Sequence, residues 1–196
     1  MEKFELGPLS ITASAADIES YALYESGTEK SDITVLSHAA FSEPVDLFKE
    51  IGGETDCLKR IAELSERENN TVIAGIMLNY GGIKKLSAAV AHKGELTDVT
   101  DSCSVSEPYT RSGTVKIYNT GKAKAAVLTG GDARVGFILK KIRGACNVAI
   151  SLEPEYRPEN EQRIKKLAKD FSLPVLYVSP ARIFMAAAEE YKNTLS

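Results

Sequence analysis

The amino-acid sequence predicts an α/β domain with mixed sheets, and two stretches decide it. From Thr71 to Thr129 five apolar, β-branched runs follow one another with no room for a helix between them. Parallel neighbours need crossovers of a dozen or more residues, so connections this short require antiparallel pairing. After Thr129 the pattern changes to helix, strand, helix, strand, the alternation of a parallel portion. With 196 residues, 43% of them hydrophobic, the chain is long enough to bury a substantial core and is expected to form one domain over 1–196.

Taken in order, Lys3 to Ile11 reads as a strand, and Ser14 to Asp17 has capping-box spacing ahead of a helix running to about Gly27. Ile33 to Leu36 suits a short buried strand, and Ser37 to Gly53 reads as a loop. Thr55 to Asn69 places Leu58, Ile61, Ala62 and Leu64 at helical spacing. Strands follow over Thr71–Asn79, Lys84–Ala91, Leu96–Thr100, Thr114–Asn119 and Ala123–Thr129, punctuated by Gly81-Gly82, Gly94 and Gly121. Asp132 to Arg143 reads as a helix, Asn147 to Leu152 as a strand, Pro158 to Phe171 as a helix opened by proline, and Pro174 to Val178 as a strand. Ile183, Phe184, Ala187 and Tyr191 form a stripe that predicts a terminal helix over Ala181–Leu195.

A net charge of -3 with scattered Lys and Arg gives no footprint for nucleic acid. No apolar run approaches the roughly 20 residues a spanning helix needs, and the N-terminus lacks a leader pattern, so no membrane is expected and a cytoplasmic location is. Cys57, Cys103 and Cys146 are odd in number and widely spaced, which argues against a disulfide framework. With two histidines and no C-x-x-C or H-x-x-x-H spacing, neither a metal nor a cofactor is expected.

The order of elements and several local motifs resemble the nitrilase, or carbon-nitrogen hydrolase, superfamily. Asp32-Ile-Thr-Val-Leu-Ser-His38 resembles the strand that ends in the family's general-base glutamate. Leu86-Ser-Ala-Ala-Val-Ala-His-Lys-Gly94 resembles its Asn-Ser-Ala hairpin. Gly94 to Ser102 falls on the segment that ends in the catalytic lysine, and Leu128-Thr-Gly-Gly-Asp-Ala-Arg134 resembles the Cys-x-Asp-x-Arg elbow. The resemblance implies an α-β-β-α sandwich of two mixed sheets flanked by helices.

It also implies a division of labour among three side chains: a cysteine thiolate that attacks carbon, a glutamate that moves protons and a lysine that steadies the oxyanion. Here the nucleophile position falls on Gly130, the general-base position on His38 and the lysine position on Asp101 or Ser102. Glycine has nothing to attack with, and losing the nucleophile of a coupled set costs on the order of a million-fold in turnover. The expectation is therefore a catalytically degenerate binding or regulatory domain, self-associating as a homodimer, with a small-molecule ligand as its other partner. A hydrolase of carbon-nitrogen bonds with relocated machinery, using Cys103 or Ser102 with His38, is the alternative, and a purely structural partner domain is a third.

At the elbow Gly131, Asp132 and Arg134 are candidate pocket-rim residues. Asp132 also reads as an N-cap for a helix starting near Ala133, and Arg134 as an ion-pair partner for Glu153 or Glu155.

Overall fold

The structure is a computed structural model that describes residues 1–24, 30–104, 108–111 and 114–187. It opens with a hairpin, β1 (Glu2–Leu6) against β2 (Leu9–Ser14), where a single strand was expected over Lys3–Ile11. Gly7 takes φ 60° at the first central position of a two-residue turn and Pro8 fills the second, which reverses the chain tightly. Helix α1 (Ile18–Tyr24) is capped by Asp17, whose carboxylate accepts from the Glu19 and Ser20 amides, so the cap lies three residues beyond Ser14. The expected end of that helix, 25–27, lies outside the described residues.

Strand β3 (Ile33–Leu36) is buried throughout. The stretch read as a loop then holds a short strand, β4 (Val45–Asp46), and a helix, α2 (Leu47–Gly52). Asp46 caps α2 through the Phe48 and Lys49 amides, and Gly53 closes it in the left-handed region at φ 73°. Helix α3 (Cys57–Glu68) leads into three long antiparallel strands, β5 (Thr71–Tyr80), β6 (Ile83–His92) and β7 (Glu95–Asp101).

Strands β8 (Lys116–Asn119) and β9 (Lys124–Thr129) also pair antiparallel, but in the second sheet. A 3-10 turn (Asp132–Arg134) and α4 (Gly136–Ile142) follow, then β10 (Val148–Leu152), α5 (Pro158–Phe171) and β11 (Val175–Val178). The last described element is a strand, β12 (Ile183–Ala186), antiparallel to β11, not the expected helix. Ile183 and Phe184 are buried in this position, so they offer no exposed stripe for a second subunit. The remainder of the expected helix, 188–195, lies outside the described residues.

The first sheet runs β1-β2-β3-β5-β6-β7, with β4 beside the far end of β5, and the second runs β12-β11-β10-β9-β8. Both are mixed, because β2, β3 and β5 are parallel, as are β9, β10 and β11. Side chains alternate along each strand, which gives each sheet two faces. Leu9, Ile11, Ile33, Val35 and Ile73 of the first sheet meet Val127, Val148, Ile150, Leu176 and Val178 of the second in a central core. The outer face of the first sheet packs on α1 and α3 through Tyr21, Ile61, Leu64 and Ile76. The outer face of the second packs on α4 and α5 through Leu139, Ile142, Ile164 and Ala168. The result is an α-β-β-α sandwich of two mixed sheets flanked by helices. No helix among the described residues is long and apolar enough to cross a membrane.

Candidate functional site

Three chain segments converge where the sheets open at the carboxyl ends of β3, β9 and β10. The first is Ser37-His38, just past β3. His38 is 5% exposed, and its Nε2 is hydrogen-bonded to Thr129 Oγ1 at 3.1 Å, the last residue of β9. Burial holds the imidazole down at about 4, well below its ordinary range, against the opposing pull of the nearby Leu152 and Ile76 carbonyls. It is therefore neutral at pH 7. Its close packing depends on Gly75 of β5, where a Cβ would stand 2.9 Å from the His38 amide nitrogen and 3.0 Å from Cγ.

The second segment is the elbow. Gly130 (φ 62°) and Gly131 (φ 108°) both lie in the left-handed region, which a side chain resists. The Gly130 amide donates to the Leu152 carbonyl at 3.0 Å and so ties the elbow to the end of β10. Asp132 does not cap a helix as expected: the turn that follows is capped by Gly131 with no side-chain bond, and α4 starts only at Gly136. Its carboxylate instead accepts from Ser102 Oγ at 3.1 Å, the Cys103 amide at 3.0 Å and the Ser104 amide at 2.7 Å. Burial raises the Asp132 carboxyl, and these donors work against that rise.

That clamp is what brings the third segment, 102–104, to the elbow. Asp101 faces elsewhere, accepting from Lys85 Nζ and Ser87 Oγ of β6, both at 2.7 Å. Of the two positions left open for the family lysine, Ser102 is the one that reaches the elbow. Cys103 is half-buried, and its thiol is pushed up by burial first and by the Asp132 charge second. A nucleophilic cysteine needs the opposite direction.

Arg134 and Glu153 complete the elbow. Glu153, 2% exposed at the end of β10, lies 3.6 Å from Arg134 Nη2; of the two expected partners it is the one in contact. Burial lifts the Glu153 carboxyl to about 7, with Asp132 adding and Arg134 opposing. The apolar run Val148–Leu152 ending on an acid was the sequence signal for this residue, and the elevated proton affinity comes from burial that the sequence alone does not reveal.

Two recesses open beside these groups. A cavity of about 420 Å³ is bounded by Gly130, Arg134, Glu153, Asn160, Arg157 and Tyr109. A wider groove of about 1200 Å³ has His38, Asp46, Asn79, Cys57 and Arg60 on its walls. Met77 and Pro154 border both. His38 and Gly130 thus face different recesses although they join through Thr129, and Ser102 and Cys103 line neither. Among the described residues no group of three or more His, Cys, Asp and Glu is placed to hold a metal ion.

Solved structures share this architecture. Glutamine-dependent NAD+ synthetase from Acinetobacter baumannii superposes with a TM-score of 0.64 at 15% identity, over 83% of this chain and 34% of that one. A carbon-nitrogen hydrolase from Helicobacter pylori G27 gives 0.65 at 13%, over 83% and 65%. The fold is that of the nitrilase superfamily. An amidase variant from Nesterenkonia AN1, of that superfamily, gives 0.65 at 8% identity over 86% and 74%. The chain thus spans about a third of the synthetase and about two thirds of the hydrolase. No family model matches the sequence, and neither does any curated protein. The shared fold brings the elbow, the end of β3 and the segment after β7 side by side, joined through Thr129 and Asp132, although they do not share one recess.

Proposed function

We propose that this is a catalytically degenerate nitrilase-like domain, a binding or regulatory module built around the elbow cavity. The observation that carries the reading is Gly130: it occupies the turn after β9, lines a cavity of about 420 Å³ and presents no side chain to it. The supporting chemistry is consistent in direction. His38 is neutral and faces the other recess, and Ser102 is spent on Asp132. No lysine stands at either Asp101 or Ser102. As parts of the same proposal, 1–196 acts as one domain, resides in the cytoplasm and forms a homodimer; a monomer mass by light scattering at micromolar concentration would remove the last of these.

Purified protein incubated with a broad panel of nitriles, primary amides and carbamoyl compounds should release no ammonia above background. Turnover anywhere near the ~10 s⁻¹ typical of enzymes would overturn the proposal. The alternative, a hydrolase using Cys103 with His38, predicts an acidic thiol. The raised Cys103 thiol argues against it: mapped by mass spectrometry, its alkylation by iodoacetamide should rise only above the ordinary thiol range of about 8.5. The same cavity favours a ligand-binding module over a purely structural partner, since side chains do not fill it.

A further inference from the structure

Arg134 is poorly satisfied: about a third of its side chain is exposed, yet its Nε is enclosed. Its guanidinium lies over Gly131, where a Cβ would come within 2.1 Å of Nη2, so the glycine is what lets it lie across the elbow. Its side-chain contacts are long, 3.4 Å from Nη1 to Asn160 Oδ1 and 3.6 Å from Nη2 to Glu153, and the buried Nε has no hydrogen-bond partner. A guanidinium offers five donors in a rigid planar fork. Those two contacts leave most of that capacity for an acceptor entering the cavity.

A second guanidinium lines the same cavity. Arg157 occupies the N-cap position of α5 without making a side-chain cap bond, and it is paired with Glu155. The 14-residue helix behind it adds partial positive charge at its start. Glu159 and Glu161 in its first turn reduce that effect, although Glu161 is engaged by Lys165 and Tyr156. The other wall is less polar, with Met77 and Leu86 beside the Tyr109 ring. At about 420 Å³ the cavity is the size of a small-molecule site.

Charge selects the ligand. The formal charges lining the cavity balance, Arg134 and Arg157 against Glu153 and Glu155, and burial, which pushes the Glu153 carboxyl up toward its neutral form, shifts that balance toward positive. We propose that this cavity binds a small monocarboxylate, its carboxylate forked by Arg134 and Arg157 and its apolar body against Met77 and Leu86. The inference rests on the reading of the domain as a binding module and names the ligand class of that site.

Proton uptake follows from the geometry. Glu153 is faced by Arg134 and Asp132 from the turn, by Ser151 on its own strand, by Tyr177 of β11, and by Glu155 and Arg157 across the cavity. A bound carboxylate competes for Arg134 and adds a like charge beside Glu153, so binding draws a proton onto it. Affinity should fall as pH rises from 6 to 8.

The full chain is titrated calorimetrically with propionate, butyrate and benzoate at pH 6 and 8, in two buffers of different ionisation heat. The matching primary amides and inorganic phosphate are controls. Carboxylates should bind more tightly than either control by about tenfold or more, with net proton uptake. Arg157→Gln, an exposed change that leaves the fold intact, should weaken binding about tenfold or more, and Glu153→Gln should keep binding while abolishing proton uptake. The proposal is overturned if no carboxylate binds, if amides or phosphate bind as well, if Arg157→Gln binds like the parent, or if Glu153→Gln still takes up the proton. Amide turnover would instead sink the binding-module reading and leave carboxylate binding standing, so the two failures are separable.

Discussion

His38 and Gly75 form a contact that the chain can scarcely alter. The glycine lies within β5, and the space a Cβ would take is already filled by backbone and ring atoms of His38 at 2.9 and 3.0 Å. Backbone cannot rotate aside as the end of a flexible side chain can. Gly75→Ala should therefore push the Ser37-His38 segment outward, stretch the 3.1 Å bond to Thr129 and cost about 1–3 kcal/mol of stability. Urea denaturation of the variant measures this, and a midpoint equal to the parent's would show that the segment yields freely. The sequence marks His38 as a strand-end residue at the position matching the family's general base. That its ring is buried, neutral and joined to Thr129 depends on a residue 91 positions away, which no local pattern encodes.

Elements were legible where a long run is bounded by turn residues or carries a helical stripe, and illegible where a short run could serve either geometry. The β5–β7 runs are set off by Gly81-Gly82 and Gly94 and α3 has apolar residues at helical spacing, and the structure keeps these elements within a few residues. Ile183-Phe184-Met185-Ala186 fits both periods, and what decides for a strand is its partner β11, reached through a turn in which Ser179 and Arg182 bond each other. Gly7-Pro8 is the overlooked signal of the first hairpin, and Asp46 that of α2. At the elbow, Asp132 was read as a local cap, whereas its charge serves a long-range clamp on 102–104. Asp132→Asn tests that role. The substitution relieves a desolvation cost but turns a double acceptor into a group with a donor face, set against two amides and a hydroxyl. The loss should prevail, costing about 1–3 kcal/mol and speeding amide exchange at Cys103 and Ser104. Unchanged exchange there would mean that the clamp does not hold the segment.

Across the whole molecule, the buried groups at the mouth of the sandwich titrate in opposite senses, and this shapes the stability of the entire fold. His38, lowered from 6.5 to about 4, is protonated more readily when unfolded, so its contribution is full above about 6.5 and is lost as pH falls toward 4. Glu153, raised from 4.5 to about 7, does the reverse: its contribution is full below about 4.5 and is lost as pH rises toward 7. Asp132, also raised, acts in the same sense as Glu153. Each of the two large displacements is worth on the order of 3 kcal/mol, so between about pH 4.5 and 6.5 their slopes oppose and largely cancel. Single substitutions should uncover them. Relative to the parent, Glu153→Gln should gain stability as pH rises from 4.5 to 7, because the falling limb is removed. His38→Asn should lose stability, relative to the parent, as pH rises from 4 to 6.5, because the rising limb is removed. Carboxylates held low by their partners, such as Asp32 and Asp98, contribute alike to all three proteins and drop out of the differences. Urea midpoints taken in half-unit steps from pH 4 to 7.5 give these difference curves directly. If both run flat, the burial of His38 and Glu153 does not set the proton balance of this fold.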